Sequence, residues 1–368
     1  MKDRNNAPTV KSASTAARQS PVAWWLFGMA GLVWLMVLVG GATRLTDSGL
    51  SITEWKPVSG ALPPLSAAAW DAEFEKYKQI PEYAVVNAGM SLDAFKTLYW
   101  WEWGHRFLGR LVGFAFLLPA VVFALQRRVD RRLGAALAAL FVLGGAQGAL
   151  GWYMVQSGLT ERVDVSQYRL AAHLGLAVFL FAALLWTGLS VRSGGARPAP
   201  AGRLGAASWA LAIGIYLQIV LGAFVAGLDA GERYVDWPLM NGAWFPVDYG
   251  AGGSIWDSHA AVQFNHRIGA YVLAIGAFAF AFAAQGGALQ TRARLLAGAT
   301  LAQGALGVAT LMNVSPLGLA LAHQTGAIVV FAIAVAAAHH GSIAGRSIAN
   351  PSSASSSAGV PRGLAGAP

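Results

Sequence analysis

Eight apolar runs, each about 20 residues long, leave this chain little choice of fold. They lie near 22–43, 102–125, 133–154, 168–190, 205–228, 260–283, 294–312 and 318–340. Each is long enough to cross a ~30 Å hydrocarbon layer as a helix whose backbone polar groups bond within their own segment. Charged residues make up 12% of the chain, against about 25% in soluble domains. The expected fold is an all-α polytopic membrane protein with eight transmembrane helices in the lipid bilayer. The first apolar run is too long for the core of a signal peptide, so residues 1–21 read as an N-terminal tail and no cleavage is expected.

The basic residues set an orientation. Lys2, Arg4, Lys11 and Arg18, the Arg127–Arg132 cluster, Arg192, Arg197 and Arg203, and Arg292 with Arg294 all fall on one side of the predicted spans. That side is expected to be cytoplasmic, with both termini on it. Segments 44–97 and 229–259 hold most of the acids and face outward. The formal net charge of +9 therefore reads as topology, and no basic–aromatic motif points to nucleic acid. The chain has no cysteine, which excludes disulfides, thiolate-bound metals and cysteine-held iron–sulfur clusters. Residues 341–368, rich in Ser, Ala and Gly, are expected to be a disordered cytoplasmic tail.

The chain also repeats itself. AQGALG occurs at 146–151 and again at 302–307, in the third and seventh spans. Glu54-Trp55 and Gly60-Ala61 return as Asp236-Trp237 and Gly242-Ala243, offset by 182 residues, and the same offset relates Gly40, Asp47 and Gly49 to Gly222, Asp229 and Gly231. His105-Arg106 returns as His266-Arg267. Matches in one order point to a duplicated four-helix unit. Four crossings bring the chain back to its starting side, so the halves form two tandem four-helix bundles of parallel topology. The expected divisions are 22–191, a linker at 192–204 rich in Gly, Pro and Arg, and 205–340.

His105, His173, His266 and His323 lie on the second, fourth, sixth and eighth spans, all near the outward end. One membrane histidine can be a hydrogen-bonded packing residue, but four at equivalent depth, one pair per half, point to ligation. No cysteine or carboxylate set accompanies either pair, as zinc would require. Two imidazoles from facing helices suit the axial positions of heme iron. Gly109, Gly269 and Gly326, three or four residues after a histidine, share its helix face and are expected to leave room for a flat macrocycle or to let helices pack closely. Arg106, Arg110, Arg169 and Arg267 cluster at the outward helix ends, where guanidinium groups are candidates for binding heme propionates or for snorkelling to the interface. His259, His339 and His340 have no duplicated partner and read as interface or cap residues.

The halves differ at one informative position. Glu102 precedes His105 by three residues, whereas Gln263 precedes His266. A residue at i−3 shares the histidine's face, so Glu102 either looks into the ligand cavity, where it can take a proton or stabilise positive charge, or pairs with Arg106 or another outward arginine.

The E-x-x-H-R stretch from Glu102 with its following glycine at Gly109, the segment GGATRLTDSGLS from Gly40 to Ser51, and Asn265-His266-Arg267 resemble the heme A synthase family in its Gram-negative and mitochondrial form. The resemblance covers nearly all of residues 22–340. It implies oxidation of the C8 methyl group of heme O to a formyl group, by way of an alcohol and a geminal diol, giving heme A for cytochrome c oxidase. It implies an oxidoreductase acting on a CH, CH2 or CH3 group, with water as the expected source of oxygen. Glu102 would be the catalytic acid. His105 and His173 would hold the substrate heme, and His266 and His323 a cofactor heme b. The implied location is a bacterial inner membrane, with heme sites near the periplasmic side. The implied partners are heme O synthase and a quinol or other electron-transfer protein. Some members carry an outer-loop cysteine pair, which this chain lacks. Small-residue helix faces permit a homo-oligomer. The competing readings are a di-heme membrane cytochrome drawing electrons from quinol, and a transporter, which would show polar sites at the membrane midplane. Trp70, Phe74 and Tyr77 fall at helical spacing in a segment expected on the outer surface, with a lid at 66–80 as one use for it.

Overall fold

The computed structural model describes residues 10–160, 162–194 and 202–348. Ten α-helices account for most of them. They are α1 (Val10–Leu45), α2 (Ala67–Tyr77), α3 (Pro81–Val85), α4 (Leu92–Leu125), α5 (Arg131–Gln156), α6 (Gln167–Arg192), α7 (Gly202–Gly227), α8 (His259–Ala283), α9 (Gly287–Met312) and α10 (Leu317–Ile348). Eight of these are long and apolar enough to span a membrane, so the protein is multi-pass. Helix starts follow local chemistry. The side chains of Ser66, Ser91, Asp130 and Ser258 accept hydrogen bonds from the main-chain nitrogens of Ala69, Ala94, Leu133 and Ala261, each such cap contributing about 1 kcal/mol.

α1, α6, α7 and α10 occupy the middle, with α4 and α5 flanking one side and α8 and α9 the other. One apolar core runs through both halves, from Leu26, Val178 and Leu184 to Ile215, Phe280 and Ile328. Polar bonds also cross between them. Gln324 Nε2 donates to the Val37 carbonyl at 2.7 Å, Trp34 Nε1 to Thr325 at 3.1 Å, and Arg44 pairs with Asp229 at 2.6 Å. His339, buried between the halves, lies 3.1 Å from Ser190 Oγ, consistent with the interface role expected for it. His259 is the first residue of α8.

Four helix ends differ from expectation, among them the start of α9 at Gly287, ahead of the run expected from 294. α1 begins at Val10, inside the segment read as a tail, and α10 runs on past His340 to Ile348. Its continuation falls outside the described residues, as does most of the expected linker. α4 begins at Leu92, ten residues before its apolar run, so it rises about 15 Å beyond it. Hydropathy could not find this overhang because its apolar residues serve a separate small core.

That core caps the face bearing the two long loops. Trp70, Phe74 and Tyr77 share one face of α2, as their spacing predicts, and they pack on Phe95 and Tyr99 of the α4 overhang. Phe74 stacks on Phe95 at 4.9 Å and Trp70 meets Tyr99 at 5.0 Å. Leu50 and Ile52, from the loop after α1, complete the cluster. The segment thus packs on α4 and is tied into the loop face rather than lying free on the surface.

Glu82 of α3 is buried beside this cluster, and its Oε2 has no partner. Burial pushes its carboxyl up to about 8, with Asp47, Glu102 and Asp164 adding negative charge nearby and Tyr77 offsetting part of the effect. A carboxyl raised in the fold stabilises it fully below the ordinary value of 4.5 and loses that contribution as pH rises through the folded value. Hydrogen exchange across α2 and α3, corrected for intrinsic rates, should therefore speed up between about pH 5 and pH 8, and Glu82→Gln should remove that dependence. Equal pH dependence in the variant would assign the effect elsewhere.

Candidate functional site

The four histidines expected to act together do share one local construction. Each imidazole presses edge-on against a glycine of the preceding membrane helix. A Cβ added to Gly40, Gly151, Gly222 or Gly307 would lie 2.8, 2.8, 3.1 or 2.7 Å from Cε1 of His105, His173, His266 or His323. Only glycine allows this approach. The rings are partly rather than fully buried, so each keeps accessible surface beyond its glycine-facing edge.

A second element was missed by sequence reasoning. Gln147, Gln218 and Gln303 each stand four residues before the glycine, on the same helix face. Their Nε2 atoms donate to the main-chain carbonyls of His173, His266 and His323 at 2.9, 2.7 and 2.7 Å, and lie 3.2, 3.0 and 3.0 Å from Nδ1 of the same residues. The signal was present as Q-x-x-x-G, twice inside AQGALG and once as QIVLG, but the repeat was read as evidence of duplication and not as chemistry. Gly269 and Gly326 turn out to admit these amides, because an added Cβ would strike Oε1 of Gln218 and Gln303. Their expected use as space for a macrocycle gives way to close helix packing. Gly109 faces Met36 at 3.7 Å.

The His266 and His323 ring centroids are 6.4 Å apart and their planes are inclined by 79°. A metal ion held between two opposed imidazoles at ~2.0 Å per bond would put the centroids about 6 Å apart. Among the described residues, no cluster of three or more His, Asp or Glu side chains stands ready to bind a metal. Two nitrogens without further protein ligands suit an iron whose other four positions a porphyrin fills. The buried Oε1 atoms of Gln147 and Gln218 have no partner and are the acceptors available to an Nδ1–H once the iron takes Nε2. The residues present fit a heme.

Glu102 is 3% exposed and only accepts. Its oxygens take hydrogen bonds from Ser51 Oγ at 2.8 Å, the Ile52 nitrogen at 2.7 Å, and Arg106 Nε and Nη2 at 3.0 and 2.6 Å. The pairing with Arg106 weighed from the sequence is therefore made. Arg106 goes on to donate to the carbonyls of Ile52 and Glu54. Arg267 repeats this on Tyr234 and Asp236 and adds Leu239, so both arginines tie an outer loop to its helix at the 182-residue offset. Gln263 keeps the link to Arg267 at 2.9 Å but donates to the Ala230 carbonyl at 2.7 Å. The loop thus supplies donors around Glu102 and an acceptor at Gln263. Asp47 and Asp229, the duplicated loop residues, both adopt left-handed backbone.

The remaining arginines are also engaged. Arg110 donates to the carbonyls of Pro57 and Lys56, and Arg169 donates to Tyr153 and lies over its ring at 3.8 Å. Arg110 Nη1 and Arg267 Nε are buried without partners, which leaves them as donors for a carboxylate ligand.

Eight spanning helices thus define a multi-pass membrane protein whose four outward histidines each lie against a glycine, three of them also against a glutamine amide. The chain belongs to the COX15-CtaA family of cytochrome oxidase assembly proteins, which it matches over residues 23–335. It is 54% identical over 325 residues to the heme A synthase of Parvibaculum lavamentivorans, covering 87% of this chain and 94% of that protein. It is 50% identical to the heme A synthase of Caulobacter vibrioides, covering 87% and 95%. With that of Rhodospirillum centenum it is also 50% identical, covering 90% and 91%.

Gly307→Ala should displace the His323 ring at a cost of about 1–3 kcal/mol, seen as weakened heme absorption bands in purified protein. Gly318→Ala on the helix that carries His323, where an added Cβ meets nothing within 4 Å, should leave them unchanged. Equal loss in both variants would mean that the close approach is not what matters.

Proposed function

We propose that this chain is a heme A synthase, oxidising the C8 methyl group of heme O to a formyl group, with water as the source of oxygen. The relatives' names support this reading. The observation that favours it over a di-heme cytochrome is the buried carboxyl group of Glu102 in one of two duplicated sites, where the other has the neutral Gln263.

In this reading residues 22–191 form the substrate half, with heme O between His105 and His173, and residues 205–340 hold heme b between His266 and His323. Bound heme b supplies one-electron transfer. The imidazoles orient the macrocycles, and the glycines behind them fix how far each ring projects. Arg110 and Arg267 offer their free buried N–H groups to propionates. Arg106 and Arg169 serve the loops and helix ends first. Glu102, three residues before His105, is a fixed anion held by four donated hydrogen bonds. An anion so held stabilises positive charge developing on a carbon that loses electrons, with no reorganisation at the moment of reaction. Accepting the methyl proton would require Glu102 to give up part of its bonding to Arg106, so electrostatic stabilisation leads and proton relay is secondary. The basic residues gather at the end opposite the long loops, which supports a reading with both termini in the cytoplasm and the heme sites toward the periplasm of an inner membrane. Heme O synthase, and an electron acceptor such as the oxidised form of a quinol or another electron-transfer partner, are the partners this chemistry calls for, because water as the oxygen source leaves the electrons of the methyl group to be carried away.

Glu102→Gln should abolish heme A formation while the absorption bands of the His266–His323 heme persist. Heme A produced by that variant at the wild-type rate would remove Glu102 from the reaction. His266→Ala and His323→Ala should each lose the bis-histidine bands, and His105→Ala should retain them.

A further inference from the structure

Three of the four histidines are braced by a glutamine, and the fourth is not. Met36 stands four residues before Gly40, at the position that Gln147, Gln218 and Gln303 hold before their glycines. It also lies against a glycine of the histidine's helix, four residues after His105 where Gln218 and Gln303 meet one three residues after theirs. Its Cε is 3.7 Å from where a Cβ on Gly109 would be, as Gln218 lies against Gly269 and Gln303 against Gly326. The position is kept and the chemistry is changed. A thioether has no hydrogen to donate and is a weak acceptor. As a result His105 Nδ1 is buried with no hydrogen-bond partner, the only ring nitrogen of the four histidines in that condition among the described residues.

With Nε2 on the iron, Nδ1 carries its hydrogen and needs an acceptor, which the glutamine amide supplies by turning to it its oxygen, unpartnered in Gln147 and Gln218. Such a partner fixes the orientation of a ligating imidazole and raises its basicity, and removing it weakens metal binding by about 10–100-fold. His173, across the same pair, keeps Gln147 on both its Nδ1 and its carbonyl. The first pair therefore joins one braced histidine to one unbraced histidine, whereas both members of the second pair are braced. This lies on the same side of the duplication as Glu102, but it is a separate difference, on a different helix.

Resting on the assignment of heme to these pairs, we propose that Met36 makes His105 the releasable ligand of the substrate site. The substrate heme stays tethered to His173 while the His105 bond opens. Heme O can then enter and the formyl product leave without loosening the heme at His266 and His323. Such a division is what a duplicated scaffold needs if one site turns over its macrocycle and the other retains it. Met36 acts through His105 and is a positioning residue.

The test uses the full-length protein in lipid nanodiscs, loaded with hemin and mixed with excess apomyoglobin, which captures released heme. Wild type should release heme in a fast and a slow phase, and His173→Ala should eliminate the fast one. Met36→Gln should slow the fast phase by about 10–100-fold and increase the low-spin fraction of the ferric spectrum. Met36→Leu, which keeps the bulk and adds no donor, should release at the wild-type rate. Gln303→Met should speed the slow phase by a similar factor, and this arm stands even where Met36→Gln fails to fold. A fast phase unchanged by Met36→Gln, or a slow phase unchanged by Gln303→Met, overturns the role of the brace. If instead His105→Ala and His173→Ala both leave the two phases as they were, the heme assignment of the first pair has failed.

Discussion

The contact on which the site depends is an imidazole edge lying against a bare glycine of the neighbouring helix. At about 3 Å from a would-be Cβ, no other residue fits without moving the ring. The approach ties α1 to α4, α5 to α6, α7 to α8 and α9 to α10, so helix packing and ligand orientation are one problem solved four times. The glutamine four residues earlier adds direction, because an amide that bonds both a ring nitrogen and the carbonyl of the same histidine holds the side chain to its own backbone. In a membrane, where helices gain little from apolar burial against one another, such close approaches and polar bonds carry the specificity.

The loops extend this order to the outer face. Arg106 and Arg267 each follow a histidine directly and reach back to carbonyls of the loop after the preceding membrane helix, Arg106 to two and Arg267 to three. The loops are thereby fixed to the helices that carry His105 and His266, with α2 packed on the α4 overhang as a further layer in the first half. On this shared frame only a few positions differ. Glu102 stands against Gln263, and Met36 against Gln218. One change places a buried carboxyl group, held by Ser51, Ile52 and Arg106, in the first half, and the other leaves His105 Nδ1 without a hydrogen-bond partner.

Much of this was legible in the sequence for a physical reason. Membrane spans must be long and apolar, so all eight helices began or ended close to their hydropathy limits, and the repeated pattern put the four histidines in register. The α4 overhang was hidden because Phe95 and Tyr99 face a loop-side core and not lipid. The amide braces were hidden because a glutamine in a Gly/Ala-rich helix looks like a packing residue until the facing helix is known. Arginine roles were the least readable. Guanidinium groups suit propionates and loop carbonyls equally, and only the fold showed Arg106 committed to Ile52, Glu54 and Glu102 while Arg110 and Arg267 keep a free N–H.

The account's central claim is that one half transforms its macrocycle and the other retains it. Purified protein supplied with heme O and an electron acceptor, followed by extraction and mass identification of every heme, tests this directly. The account predicts that heme O is converted to heme A while an equal amount of heme b is recovered unaltered. Recovery of two hemes of one type, with the added heme O unchanged, would contradict it and describe an electron-transfer cytochrome instead.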